Sequence, residues 1–135
     1  MNRFEIEKVD ISYFCNTEAH IGEALFKIAG ERHEVAPIKY APAGAVLVGI
    51  SLNDVIEIDL SKYHIPRNTA LIGSKVEILK RGKITICLPP LEIPCGQPLY
   101  IDKHGKITWK YSIYKIGKTI SSQDESGHIK ALIKI

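Results

Sequence analysis

The stretch from Val76 to Tyr111 constrains the fold most, because it combines two glycine-containing reversals with a proline-rich connection. Val76 to Lys80 and Lys83 to Leu88 flank Arg81-Gly82; Leu99 to Asp102 and Lys106 to Tyr111 flank Lys103-His104-Gly105. The flanking residues are largely β-branched or aromatic, and glycine adopts the positive φ that a tight reversal needs. The sequence therefore predicts two hairpins. The connection holds Pro89, Pro90, Pro94 and Pro98, which exclude a central strand before Leu99.

Short β patterns recur along the rest of the chain. They are Ala24 to Ala29, Glu34 to Tyr40 with an interruption at Pro37, Ala45 to Ser51, Asp54 to Leu60, Lys118 to Ser122, and His128 to Ile135. Pro42-Ala43-Gly44 and Gln123 to Gly127 are predicted turns. With eight to ten short strands and turn signals at intervals of roughly ten residues, the chain is expected to be all-β, a small barrel or a β-tulip or sandwich.

Three of these segments carry more specific expectations. Ala45 to Ser51 is almost wholly apolar, as in a strand buried on both faces. Asp54 to Leu60 alternates, with Ile56, Ile58 and Leu60 on one face. In the last strand Ile129, Ala131, Ile133 and Ile135 share one face. Ser61 to Ser74 is expected to be an irregular connection, with one helical turn over Arg67 to Leu71.

The first 22 residues differ from the rest, because their apolar residues recur at spacings between two and three and specify neither helix nor strand cleanly. Residues 1–22 are therefore predicted to be an extended N-terminal arm, and residues 23–135 a single β domain. The arm has two interpretations of equal weight. It is either a first strand packed on its own domain or a tail that pairs with the sheet of a partner.

Charge and cysteine content limit the function classes. The 18 basic and 15 acidic residues give a net charge of +3, and their spread along the sequence does not resemble the clustered footprint of a nucleic-acid binder. Cys15, Cys87 and Cys95 form no C-x-x-C pair, so free buried thiols in a cytosolic product are predicted, with a Cys87–Cys95 disulfide as the alternative. No apolar run approaches the ~20 residues of a membrane span.

The residues that commonly carry chemistry form no signature of an enzyme. His20, His33, His64, His104 and His128 have no metal-ligand spacing and are expected on the surface or in turns. Asp54, Glu57 and Asp59 could hold a cation or exchange protons, but a solvated strand face explains them better. Phosphate-binding and nucleophile-elbow motifs are absent. We therefore expect no catalysis, no metal and no cofactor.

One group of aromatic residues suggests binding. Trp109, Tyr111 and Tyr114 stand near Lys106, Lys110 and Lys115, the composition of a surface on which nucleic-acid bases stack. Trp109 and Tyr111 fall on the same strand face as Ile107, however, so a role in the core or in a subunit contact is the simpler interpretation of these three residues.

The order of the motifs resembles a known family. After the arm come Glu23-Ala24-Leu25, AVLVGISLND, VEILKRGKITICLPP, IPCGQPLYIDKHGKITW, IGKTISS and HIKALIKI. Over residues 23–135 this succession resembles the tailed-phage head-decoration proteins, also called structural cement proteins. The family pattern I..G..LY.D..GK.T falls on Ile93 to Thr108, its late Ile-Gly on Ile116-Gly117, and its last strand on Ile129 to Ile135. Lys118 stands where the family usually has a small residue.

The resemblance implies a β-barrel or β-tulip protein that forms a homotrimer on the outer capsid surface of the virion, after synthesis in the host cytoplasm. There it would clamp neighbouring major capsid proteins, with no membrane contact and no direct contact to nucleic acid. The N-terminal arm would add a strand to a capsid-protein sheet. The apolar residues expected at that contact are Phe4, Ile6, Val9, Ile11, Tyr13 and Phe14. The alternative function is a small β-barrel that binds single-stranded nucleic acid or carbohydrate through Trp109 and Tyr111.

Overall fold

The computed structural model describes residues 3–28, 33–57, 69–89 and 92–135, and their side chains except those of residues 3 and 4. The predicted all-β class is confirmed. Within these ranges lie twelve strands and one 3-10 turn, Ile38–Tyr40. The strands are β1 Arg3–Asp10, β2 Phe14–Cys15, β3 Ala24–Lys27, β4 Glu34–Ala36, β5 Leu47–Ser51, β6 Asp54–Ile56, β7 Thr69–Leu71, β8 Ile78–Cys87, β9 Pro98–Ile101, β10 Ile107–Thr108, β11 Tyr114–Thr119 and β12 His128–Lys134.

The chain forms two compact units, which we call the terminal unit (Met1–Val9 and Lys80–Ile135) and the central unit (Asp10–Leu79). In the terminal unit the strand order is β10-β9-β11-β12-β8, and β1 also pairs with β8. In the central unit the first residues of β8 pair with β5, which is followed by β3, β4 and β2, while β6 and β7 form a separate parallel pair. The boundary predicted between residues 22 and 23 stays a prediction.

The first predicted hairpin is wrong. Instead of reversing at Arg81-Gly82, the chain continues as the single strand Ile78–Cys87. Residues His128 to Lys134 pair one by one with Cys87 to Arg81, and Gly82 lies opposite Ile133. Because β12 offers this unbroken partner, Gly82 is a buried residue inside a strand and not part of a turn.

The second predicted hairpin is confirmed. β9 and β10 pair antiparallel, with Ile107 opposite Ile101, and Gly105 has φ 79°. The turn is held by Asp102, whose Oδ1 accepts the backbone N–H groups of His104 at 2.8 Å and Lys106 at 3.0 Å. Such Asx turns let a short polar side chain replace a backbone acceptor. β10 ends at Thr108, so it is shorter than predicted.

Several other strands differ from their predicted positions. β11 spans Tyr114–Thr119 instead of Lys118 to Ser122, with Gly117 inside it beside a register shift. β7 occupies Thr69–Leu71, where a helical turn was predicted. In β6, Val55 is buried and Ile56 is exposed, so the face carrying Ile56 is not the core face. The rest of that alternating segment, residues 58–60, lies outside the described residues.

The central unit has its core beneath β3 and β5. Ala24, Leu25 and Phe26 are fully buried, and in β5 all residues after Leu47 are buried, as predicted for a strand covered on both faces. Cys15, Ala19, Leu25, Val35, Val48, Val55, Val76 and Ile78 form one packed cluster. The predicted turn at Pro42-Ala43-Gly44 is confirmed, with the N–H of Ala45 donating to the carbonyl of Pro42 at 3.1 Å.

The terminal unit buries alternate residues of its strands. Ile129, Ala131 and Ile133 of β12 face the core as predicted, together with Leu99, Ile101 and Ile116. β12 lies between β8 and β11, so the last strand is a central one. Burying a face of this kind stabilises the fold by about 25 cal/mol per Å² of apolar surface removed from water.

The turn before β12 depends on two polar side chains. Gln123 Nε2 lies within hydrogen-bond distance of the carbonyl oxygens of Leu88 (3.0 Å), Pro89 (3.0 Å) and Gly127 (3.1 Å). Asp124 Oδ1 accepts hydrogen bonds from the hydroxyl and backbone N–H of Ser126 and from the backbone N–H of His128. These bonds, that of the Ser126 hydroxyl foremost, hold the pKa of Asp124 below its usual value.

All three cysteines are free thiols, but only Cys15 is buried; Cys87 and Cys95 are exposed, which corrects the prediction of buried thiols for these two. Cys15 lies in β2 within the packed cluster, and burial raises the pKa of its thiol. The reactive thiolate is therefore scarce at Cys15 as well as inaccessible.

We expect Cys87 and Cys95 to react readily with a thiol reagent in the native protein and Cys15 to react at least about 100-fold more slowly, because reagent must wait for the central unit to open. The measurement is mass spectrometry of the protein after brief alkylation, with and without urea. The expected product carries two labels natively and three in urea. Equal native labelling of Cys15 and Cys87 would contradict the buried position of β2.

Candidate interaction surfaces

β1 is the part of the predicted arm that the structure places on the terminal unit. It pairs with β8, the one partner that β1 has among the described strands. Every side chain from Glu5 to Lys8 is exposed, and Ile6 keeps 53% of its surface in solvent. Main-chain pairing therefore holds β1 more than side-chain burial does, which makes it an edge strand with both faces open.

The remaining residues of the predicted contact are spread over different environments. Val9 is half-buried, Ile11 is 62% exposed, and Phe14 is 39% exposed beneath the ammonium group of Lys75. Tyr13 packs against the core cluster of the central unit and contacts the ring of His33. Phe4 lies in β1, and its side chain is outside the description. Tyr13 thus contributes to its own fold, whereas Ile6 and Ile11 are available to a partner.

The second predicted group surrounds the loop between β10 and β11. Ile107 and Trp109 are half-buried, while Tyr111 is 82% exposed and contacts the ring of Tyr100 at its edge. A core role is therefore excluded for Tyr111, and its role in a subunit contact stays a prediction. Thr108 alternates with Ile107 and Trp109 and was therefore expected on the opposite strand face. It is buried, so Thr108 is the inward residue of β10.

The same loop presents an apolar residue that sequence reasoning missed. Ser112 Oγ donates to the carbonyl of Ile101 at 2.6 Å and accepts the N–H of Tyr114 at 3.1 Å. With the backbone held at Ser112, its neighbours Tyr111 and Ile113 both point outward, and Ile113 is 78% exposed. In the sequence, the order Tyr111-Ser112-Ile113, a serine between two apolar residues, is the one signal for this arrangement.

The other candidate sites do not assemble. Asp54 Oδ1 accepts the N–H of Ile21 at 2.8 Å, and Glu57 is exposed, while Asp59 lies outside the described residues. No group of three metal-ligating side chains occurs in the described part of the chain. His20, His33 and His104 are exposed, His128 is half-buried, and His64 is outside the description.

Within the described ranges, no helix has the length and apolar character needed to cross a bilayer.

Neither a protein-family model nor a curated protein matches this chain.

Proposed function

We propose that this protein is a capsid decoration protein, which binds the outer surface of a tailed-phage head as a homotrimer and clamps neighbouring major capsid proteins. The observation that carries the proposal is the open state of β1, whose residues Glu5 to Lys8 are all exposed although they belong to a paired strand. The order of motifs over residues 23–135 points to the same family.

An open edge strand with an exposed apolar side chain, as at Ile6, is a liability for a protein that acts alone. It leaves N–H and C=O groups unpaired along one side and invites pairing with other chains. A partner's strand laid against β1 would satisfy these groups by main-chain hydrogen bonds, while Ile6 supplies apolar contact. Three such strands on one trimer would then bind a head with high avidity, because each bound protomer raises the effective concentration of the next.

The test uses expanded heads, stripped of decoration, from the virus that encodes the chain. Native protein should cosediment with them at a fixed ratio and raise the temperature at which they release DNA. Ile6→Asp should weaken binding about tenfold or more, since it places a charge in an apolar contact. The exposed position of Ile6 leaves the fold of the variant intact, which circular dichroism checks.

Val46→Asp is the matched control, because Val46 is 67% exposed and stands outside the predicted contact. It should bind heads like the native protein. The proposal fails if native protein does not bind the heads. If Ile6→Asp binds as well as Val46→Asp, the role of β1 fails.

A further inference from the structure

The strands of the terminal unit gather basic residues on one face of their sheet. Six exposed cations lie there, two on each of three strands: Arg81 and Lys83 on β8, Lys130 and Lys134 on β12, and Lys115 and Lys118 on β11. We call this surface the basic face. β8, β9, β11 and β12 contain no Asp or Glu, whereas β1, which also pairs with β8, carries Glu5 and Glu7. The three pairs are far apart in sequence, and strand pairing brings them together.

The basic face carries an excess of positive charge. Arg81 lies directly opposite Lys134 in the β8–β12 register, and like charges at directly opposite positions destabilise a sheet. Within the described ranges none of the six cations forms an ion pair. The nearest acid that shares a cavity with them is Glu5 of β1, which lines a space of about 190 Å³ with Lys83 and Lys130.

The centre of the basic face is apolar. Leu132, half-buried, lies opposite Lys83 on one side and Lys118 on the other. Beside it a depression of about 260 Å³ is floored by Leu132 and Gly117 and rimmed by Lys115, Lys118 and Lys134. An apolar centre with a charged rim is the usual anatomy of a protein–protein contact.

We propose that the basic face binds an acidic protein segment, one of whose apolar side chains enters the depression while its carboxylates meet the surrounding lysines. Charge complementarity selects an anionic partner and disfavours a second copy of the same face. A depression of this volume is below the roughly 300 Å³ at which small-molecule pockets begin, so a single side chain suits it better. The inference stands whether or not β1 contacts a capsid protein.

Single-stranded nucleic acid is the less suitable occupant. Its binding surfaces place aromatic rings among the cations so that bases can stack. Here the middle of the face is Leu132, and the rings lie at its ends, with half-buried Tyr100 opposite Lys115 and against Tyr111, and His128 two residues before Lys130. Five of the six cations are lysines, and the one arginine has no ring beside it in the described register.

The experiment measures fluorescence anisotropy of a labelled peptide of aspartate and glutamate with one central leucine. The full-length protein should bind it, and added salt should weaken the binding. Replacing the leucine with glycine should weaken binding about tenfold, as loss of one buried apolar side chain does. Lys118→Glu combined with Lys134→Glu should weaken it more than tenfold. The methyl NMR signals of Leu132 should shift on binding.

Two controls accompany these variants, one for folding and one for the change in net charge. Lys134→Glu places a carboxylate opposite Arg81, so the unfolding midpoint should stay the same or rise. Lys103→Glu with Lys106→Glu changes the net charge equally at exposed positions in the β9–β10 turn, and should leave binding unchanged. Equal binding of the leucine and glycine peptides, equal loss in both double variants, or preference for an oligothymidylate over the peptide would each overturn the proposal.

Discussion

Gly117→Ala is expected to destabilise the terminal unit by about 3 kcal/mol, the upper range for overpacking. A Cβ at this position would overlap the carbonyl oxygen of Leu132 and lie 2.9 Å from its carbonyl carbon. These atoms belong to the backbone of β12, which is held between β8 and β11 and cannot move aside cheaply. Urea unfolding followed by the fluorescence of Trp109, the single tryptophan and a residue of the same unit, measures the change.

Gly96→Ala is the control for this substitution. Gly96 has φ +87°, and nothing lies within 4 Å of a Cβ placed there. Alanine should cost only the left-handed backbone strain, about 1 kcal/mol. If both variants lose the same stability, close approach of β11 and β12 at Gly117 is not what requires glycine.

Phe26→Ala is expected to destabilise the central unit by about 3–5 kcal/mol, the usual cost of deleting a buried aromatic ring. Phe26 lies in β3, is fully buried, and heads the largest fully buried side chains of the described residues. β3 is held between β5 and β4, so its backbone cannot readily shift to fill the cavity. Urea unfolding monitored by far-ultraviolet circular dichroism gives the free energy.

Phe14→Ala removes a phenyl ring from a position that is 39% exposed. There the Lys75 Nζ lies 5.6 Å from the centroid of the ring. It should cost about 1 kcal/mol, since less apolar surface is lost and the cation–π contact is exposed. A loss at Phe14 as large as that at Phe26 would show that β2 contributes as much to the core as β3.

The two proposed surfaces differ in the kind of partner they suit. β1 offers a strand edge beside Ile6 that pairs only with β8 among the described strands, whereas the basic face offers charge around the apolar side chain of Leu132. Binding through β1 is therefore expected to depend weakly on salt and binding through the basic face strongly. Measuring head binding of native protein across salt concentrations would show which surface dominates.

Features that depend on neighbouring residues were predictable from the sequence. The β9–β10 hairpin was predicted because Gly105 and its flanking β-formers act within a few residues, and the turn at Gly44 for the same reason. The core face of β12 was predicted because alternation in a strand is a property of the strand itself. The all-β class followed from many such local signals.

Features that depend on strand pairing were not predictable from the sequence. Arg81-Gly82 has the composition of a turn, but β12 continues the ladder through it. The basic residues look dispersed along the chain and failed to indicate an anion-binding surface, yet β8, β11 and β12 place six of them on one face.

The positions of the aromatic residues around β10 likewise depended on the tertiary structure. Ile107, Trp109 and Tyr111 share a strand parity, but β10 ends at Thr108, and Tyr111 leaves the sheet beside an anchored Ser112. The partner of β1 could not be read from its own pattern and was decided by pairing with β8.

The sequence by itself determined the class of the fold, its turns at Gly44 and Gly105, and the inward residues of its last strand, because these are set by the φ preferences and side-chain alternation of neighbouring residues. Only the tertiary structure decided that residues 78–87 run as one strand, that β1 pairs with β8 alone among the described strands, and that lysines distant in sequence share one face. Strand order and register are long-range choices, made by which faces bury together.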